Sequence, residues 1–143
     1  MAMTMHVDIV SAEEEIFSGV ATFLVAPAAM GEVGISPRHT PLLSPLKAGE
    51  VKITLQDGEE QLLFVSGGML EIQPHVVTIL ADTAIRAKDL DEAAALEAKA
   101  RAEDILQDNL NEIDYAKAQI ELAEAVAQLH TIQRARKRLG ANS

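Results

Sequence analysis

The chain contains no cysteine, so disulfides, thiolate metal sites and thiol nucleophiles are excluded. Aromatic residues make up only 3 % of the 143 residues and tryptophan is absent, which predicts an aliphatic core. The sequence lacks an apolar run of about 18 residues, the length that spans a bilayer. Its first residues show no basic region followed by an apolar run, so we expect no signal peptide and a chain that stays where it is made.

Positive charge is also scarce, with 12 Lys and Arg against 22 Asp and Glu and a net charge of −10. This balance argues against general nucleic-acid binding, which requires clustered cations to neutralise phosphates. The cations that are present concentrate near the C-terminus, at Arg134, Arg136, Lys137 and Arg138. The helix dipole alone favours cations there, but four in five positions indicate docking onto an acidic partner.

The first part of the chain, residues 1–86, is typical of an antiparallel β-sandwich because short apolar runs alternate with turn signals. Asp57-Gly58 and Gln73-Pro74-His75 each predict a hairpin, and Pro27 is expected to close the second strand. Ser66-Gly67-Gly68 is not followed by the Lys-Ser or helix start of a phosphate loop, so we interpret it as a bulge or close strand crossing. The predicted strands are 5–10, 22–26, 51–55, 62–65, 69–72 and 76–80.

Residues 87–143 predict an antiparallel α-helical hairpin, since good helix formers dominate both sides of a polar break at 107–111. Asp89 and Glu92 form a capping-box pattern with Asp89 as the N-cap, and the first helix extends to about Leu106. The second helix is expected to start at Glu112 and to end at Gly140. Its predicted packing seam consists of Ile113, Ala116, Ile120, Ala123 and Ala127, widened by Leu122, Val126 and Leu129.

The alanine-rich seam predicts weak packing, because each buried methyl contributes only about 0.8 kcal/mol. A partner could therefore draw the hairpin out, and a permanently docked hairpin is the alternative that the sequence leaves open. The histidines show no metal-ligand spacing, and His39, between two prolines, is interpreted as part of a rigid turn. The sequence has no nucleophile elbow, although composition alone does not exclude a Ser/His/Asp triad.

Gly31–Leu43 has the form G-E-x-G-I-x-P-x-H-x-P-L-L, and Phe64–Ile72 and Val77–Ala84 are two further ordered blocks. These three motifs resemble the epsilon subunit of bacterial F-type ATP synthases. The similarity extends from about Met1 to Leu139, so it covers nearly the whole chain.

The resemblance implies a non-catalytic rotor subunit of a proton-translocating complex at the cytoplasmic face of the bacterial inner membrane. It implies three partners: the gamma subunit, the c-subunit ring and the alpha/beta catalytic sector. Gly31 and Glu32, with the Ala29 to Gly31 loop, would face the c ring, and His39 would lie in the next loop at the same end of the sandwich. The four basic residues near the C-terminus would meet the catalytic sector when the hairpin extends and hinders ATP hydrolysis.

Some family members bind ATP through a motif resembling I/L-D-x-x-R-A. Here Asp91 is present, but Ala94 occupies the arginine position. Alanine cannot replace the charged, planar fork of arginine at a phosphate, so we predict weak or absent ATP binding and no cofactor.

Two other classes of function remain open from the residues alone. A sandwich-type enzyme or ligand binder with a helical lid would require a pocket with convergent polar groups. A general helical interaction module would bind partners through its C-terminal half, and would leave the N-terminal motifs unexplained.

Overall fold

A computed structural model describes residues 3–108 and 112–141, without the side chains of residues 108, 112 and 138–141. The chain divides into two compact units, Met1–Ala87 and Lys88–Ser143. The first unit is a β-sandwich and the second is a pair of helices, which confirms the predicted fold class.

The described part of the sandwich has nine strands. They are β1 Met5–Ser11, β2 Glu15–Ala28, β3 Gly31–Ile35, β4 Leu42–Leu46, β5 Gly49–Leu55, β6 Glu60–Val65, β7 Gly68–Ile72, β8 Val76–Ala81 and β9 Ala84–Arg86. Hydrogen bonding gives the order β1-β8-β7-β4-β2-β5-β6-β9, with β3 on β2 and an additional β1–β2 pairing. The β1–β8 pair is parallel, which the antiparallel prediction did not anticipate.

The core of the sandwich is aliphatic, as the low aromatic content predicted. Alternate positions of β1, β5, β7 and β8 point inwards, and Val7, Leu24, Ile53, Leu70 and Ile79 are fully buried. The hairpins at Asp57-Gly58 and Gln73–His75 are confirmed by antiparallel β5–β6 and β7–β8 pairing.

Two expectations for the sandwich need correction. Pro27 does not close the second strand: β2 continues to Ala28, and Pro27 is paired with Glu32 of β3. Strands β3, β4 and β9 were also not predicted, because their segments are short or contain glycine and proline.

The glycine pair after β6 is a close strand crossing, as predicted. Gly67 and Gly68 both have φ of 134°, where residues with a side chain are strained. A Cβ on Gly68 would lie 2.0 Å from the carbonyl oxygen of Leu80. Only glycine therefore fits where β7 starts against β8.

The second unit contains helices α1, Glu92–Asp108, and α2, Glu112–Ala141, after a 3-10 turn at Ala87–Asp89. The predicted N-cap is wrong: Asp91, not Asp89, caps α1, because its Oδ1 accepts from the Ala94 N–H at 3.2 Å. The predicted stop at Gly140 is also wrong, since α2 continues through it to Ala141.

The predicted packing seam of α2 is wrong as well. Ile113 and Ile120 are 81 % and 61 % exposed, whereas Ala118 and Ala125 are buried. Two stripes of apolar residues, each with steps of three and four, run along α2, and periodicity alone does not indicate which of them packs against α1. The structure buries the stripe that contains Ala118, Ala125 and Ile132. The buried residues of the hairpin are Ala95, Ala102, Ala118, Ala125, Thr131 and Ile132.

Candidate functional site

The turn between β2 and β3 projects an exposed carboxylate. Met30 is 97 % exposed, and Glu32 beside it is also exposed. The Ala29 N–H donates to the Pro45 carbonyl at 2.9 Å, so β4 supports the turn from one side. Gly31 has φ of 130° with open space around it, so backbone conformation alone favours glycine there. We call residues 29–32 the sandwich tip.

His39 lies in a tight turn, as the flanking prolines predicted. Its N–H donates to the Ser36 carbonyl at 3.2 Å, and Arg38 adopts a positive φ of 66° at the third position, which is typical of a type II turn. The Arg38 N–H donates to the Pro74 carbonyl at 2.8 Å, and His39 Nδ1 lies 2.6 Å from the Thr40 carbonyl oxygen. These bonds anchor the turn to the β7–β8 hairpin.

The expectation that Glu32 and His39 lie at the same end of the sandwich is wrong. Glu32 is at the start of β3, beside the end of β4, whereas His39 follows β3 and precedes β4. Four residue steps along β3 separate its two ends by about 13 Å. The two residues therefore do not form one contact site.

The basic residues of α2 do not share one face. At about 100° per residue, positions 134, 137 and 138 lie on one side of the helix and position 136 lies opposite position 134. Arg134 and Lys137 are exposed, whereas Arg136 donates from Nη2 to Glu92 at the start of α1. The side chain of Arg138 is outside the described residues. A partner could therefore meet a cationic face without Arg136.

Asp91 and Ala94 do not form an anion site in the structure. Asp91 is engaged as the cap of α1, and Ala94 is exposed with only a methyl to offer. A carboxylate that caps a helix occupies the same backbone N–H groups that could bind a phosphate. The geometry therefore favours the prediction of weak or absent ATP binding.

A row of apolar side chains crosses the outer surface of the sandwich, which the sequence reasoning missed. Pairing places Pro45 opposite Met69, Met69 opposite Leu80 and Leu80 opposite Val10. Leu80 is 55 % exposed and Met69 36 %, and Leu43 nearby on β4 is 66 % exposed. We call these five residues the apolar row. The sequence did contain a signal for this row, because apolar residues occupy outward-facing strand positions where polar residues are usual.

His6, Asp8 and Ser18 come together on the β1–β2 surface, but not as a catalytic triad. Ser18 Oγ donates to Asp8 Oδ1 at 2.7 Å, and His6 Nε2 lies 2.9 Å from the same oxygen and 3.2 Å from Ser18 Oγ. In a triad the serine and the carboxylate occupy different imidazole nitrogens. The Ser18 hydrogen bond lowers the pKa of Asp8; burial opposes this, and His6 adds a smaller lowering.

Metal chemistry finds no support in the part of the chain that the structure describes, where no three acidic or histidine side chains are grouped as ligands. A cleft of about 360 Å³ lies beside Ala98 and Ala125 in the helical unit. Its polar lining includes Arg101 and Glu121, both exposed, so it does not enclose a ligand. No helix among the described residues is long and apolar enough to cross a bilayer.

Comparison with known proteins matches both units. Residues 4–87 match the family described as "ATP synthase, Delta/Epsilon chain, beta-sandwich domain", and residues 88–133 match the corresponding "long alpha-helix domain". The chain is 68 % identical to the ATP synthase epsilon chain of Nitrosococcus oceani over 140 residues, covering 98 % of this chain and 100 % of that one. The chain belongs to the ATP synthase epsilon-chain family. Its members are structural or regulatory subunits, so the chain is not the catalytic one.

Other relatives give the same result. The epsilon chain of Nitrosomonas europaea is 64 % identical over 140 residues, covering 96 % of this chain and 99 % of that one. A chain in the mitochondrial ATP synthase of Euglena gracilis has the same fold, with a TM-score of 0.80 at 18 % identity over 87 % of this chain and 78 % of that one. A chain from the central stalk and c ring of the Tetrahymena thermophila enzyme gives a TM-score of 0.55 at 14 % identity, over 93 % and 96 %.

Proposed function

We propose that the chain is a central-stalk rotor subunit of a proton-translocating F-type ATP synthase. It couples rotation of the c ring to ATP synthesis through gamma, and its helical hairpin inhibits ATP hydrolysis. In this proposal it is a peripheral subunit at the cytoplasmic face of the bacterial inner membrane. Family membership supports this proposal, as does the similar fold of chains from ATP synthase assemblies that contain the c ring and the central stalk.

The sandwich tip is the proposed contact with the c ring. Gly31 and Glu32 belong to a short, exposed turn with one carboxylate, which a loop of the ring can reach. The anchor between Ala29 and Pro45 holds this turn in place, so torque can pass through it without a large change of shape. His39 is not included in this contact, because it lies at the other end of β3.

The apolar row is the proposed contact with gamma. An exposed strip across four strands stays costly in water until a partner covers it, and burying a Leu or Met side chain gives about 1.5–3 kcal/mol. We expect Leu80→Asp to abolish binding to gamma, because it buries a charge in this contact. The control is Thr78→Asp, two residues earlier on the same strand and the same face, opposite Asp8. Equal losses of gamma binding in both variants, measured by co-purification, would contradict this assignment.

The hairpin is the proposed inhibitory element, and the observation that carries this proposal is the cationic face at the end of α2. Arg134 and Lys137 are exposed, and alanines make up most of the buried residues in the described part of the hairpin. The unburied stripe of α2, with Ile113 and Ile120, gives the extended hairpin an apolar face to lay along a helical partner such as gamma.

Charge reversal tests the inhibitory contact. In a catalytic sector depleted of epsilon, Lys137→Glu should weaken inhibition of ATP hydrolysis, because an acidic partner then meets a like charge. The matched control is Lys99→Glu on α1, which changes the net charge equally and removes only a contact within that helix to Glu103. If the Lys137→Glu chain inhibits hydrolysis as strongly as the Lys99→Glu chain does, docking through this face is contradicted.

ATP is not proposed as a ligand of the hairpin. Asp91 caps α1 and Ala94 supplies no cation, so calorimetric titration of the full chain with ATP should give no saturable heat. Binding with a dissociation constant of about micromolar would contradict this prediction.

A further inference from the structure

One ion pair closes the open end of the helical hairpin. Glu92 is the first residue of α1, and Arg136 is in the second-to-last turn of α2, 44 residues further along the chain. The Arg136 Nη2 donates to Glu92 Oε2. At the other end of the hairpin the covalent connection keeps the helices together. At the open end only side chains can do so.

Among the described side chains of the hairpin, the fully buried ones end before this pair. Ile132, one turn before Arg136, is the last large buried side chain among the described residues of α2. Ala95, one turn after Glu92, is the first buried residue of α1. The ion pair therefore lies beyond both limits of the buried seam, where separation of the helices would start.

Glu92 lies on a well-defined stretch of backbone at the start of α1. Its position in the first turn of α1 puts it near the positive end of the helix dipole. The cap made by Asp91 fixes the backbone on which it is carried. Glu92 therefore offers Arg136 a fixed anion within this chain.

The pair also engages part of the Arg136 guanidinium. A carboxylate of a partner must compete with Glu92 for the engaged Nη2. Positions 134 and 137 lie on a different side of α2 from position 136. Pairing of Arg136 with a carboxylate of a partner is therefore linked to opening of the hairpin.

We propose that Glu92 and Arg136 form a latch that keeps the hairpin closed and withholds Arg136 from the acidic surface of the catalytic sector. This inference rests on the proposed inhibitory function and adds the residue pair that controls it. Both side chains are partly exposed, at 38 % for Glu92 and 63 % for Arg136. Exposed pairs are weak, so the latch changes the open fraction by about two- to fivefold and does not lock the hairpin.

The first test uses the isolated full-length chain. In Glu92→Gln, amide hydrogen exchange in the last turns of α2 should accelerate by about two- to fivefold. The control is Glu103→Gln, which removes the same charge from the same helix but breaks only a pair with Lys99 inside α1. Exchange unchanged by Glu92→Gln, or accelerated equally by Glu103→Gln, would overturn the latch.

A charge swap tests whether the two residues act on each other. Glu92→Arg and Arg136→Glu should each accelerate exchange, and the double variant should restore protection because it rebuilds the pair with reversed signs. Additive losses in the double variant would mean that the residues act independently, which contradicts the proposal.

The second test measures inhibition of ATP hydrolysis by the same variants. Glu92→Gln should inhibit at about two- to fivefold lower concentration than the unchanged chain, whereas Glu103→Gln should not differ. Faster exchange with unchanged inhibition would overturn the regulatory role of the latch. If no chain inhibits, the proposed inhibitory function fails, while the exchange result still decides whether the ion pair holds the hairpin.

Discussion

Replacing Gly68 by alanine tests the close strand crossing at the start of β7. Gly68 and Gly31 have nearly the same backbone conformation, with φ of 134° and 130°. Around Gly31 an added Cβ meets nothing within 4 Å, but on Gly68 it would lie 2.0 Å from the Leu80 oxygen and 2.9 Å from Ala81 Cα. The two substitutions therefore share the backbone strain and differ in the collision.

The expected magnitudes follow from this difference. A side chain at such a φ costs about 1–3 kcal/mol, which is the whole expected effect of Gly31→Ala. At Gly68 the colliding atoms are backbone, so β7 and β8 must separate. Overpacking and weakened ladder hydrogen bonds then raise the total to about 3–6 kcal/mol. That is much of the stability of a small domain.

Amide hydrogen exchange of the full-length chain, followed in peptides from β7 and β8, measures this loss separately from the helices. Gly68→Ala should remove most of the protection, and Gly31→Ala should leave most of it. Equal effects of the two substitutions would refute the reasoning, because strain without collision would then explain both.

Three further changes have defined outcomes. The Ser18 hydrogen bond lowers the pKa of Asp8, so this bond stabilises the fold above about pH 4, and its contribution is lost as the pH falls through the folded pKa. Asp8→Asn should therefore flatten the acidic part of the curve of stability against pH. An unchanged slope would contradict this prediction. Arg86 donates to the Ile16 carbonyl at 2.5 Å, so Arg86→Ala should lower the free energy of unfolding of the sandwich by about 1–3 kcal/mol in urea titration, and no loss would contradict it. Ala125 is buried in the hairpin, so Ala125→Leu should separate the helices and lower the helical signal in circular dichroism at high temperature; a raised melting temperature would contradict it.

Much of the sandwich could be predicted from the sequence because its signals are local. Alternating side chains predicted β1, β5 and β8, and Asp57-Gly58 predicted the β5–β6 hairpin. The glycine pair at Gly67 and Gly68 was predicted because its sequence context fits no phosphate loop. Strands β3 and β4 were not predicted, since β3 is short and contains two glycines and β4 is short and contains a proline.

The candidate contact residues were harder to place, because their arrangement depends on register and helix packing. Glu32 and His39 are seven residues apart, but the path of β3 puts them at opposite ends of that strand. On α2, the stripe with Ile120 and the stripe with Ala125 have the same spacing, and only packing distinguishes them. The pairing of Arg136 with Glu92 joins the two ends of the hairpin and has no local signal.

The measurement that tests the central claim most directly is ATP hydrolysis by an epsilon-depleted catalytic sector, titrated with the full chain and with a chain ending at Lys88. The shorter chain keeps the whole compact unit Met1–Ala87 and loses both helices. We expect both chains to bind gamma and only the full chain to inhibit hydrolysis. Equal inhibition by the two chains, or binding by neither, would contradict the account.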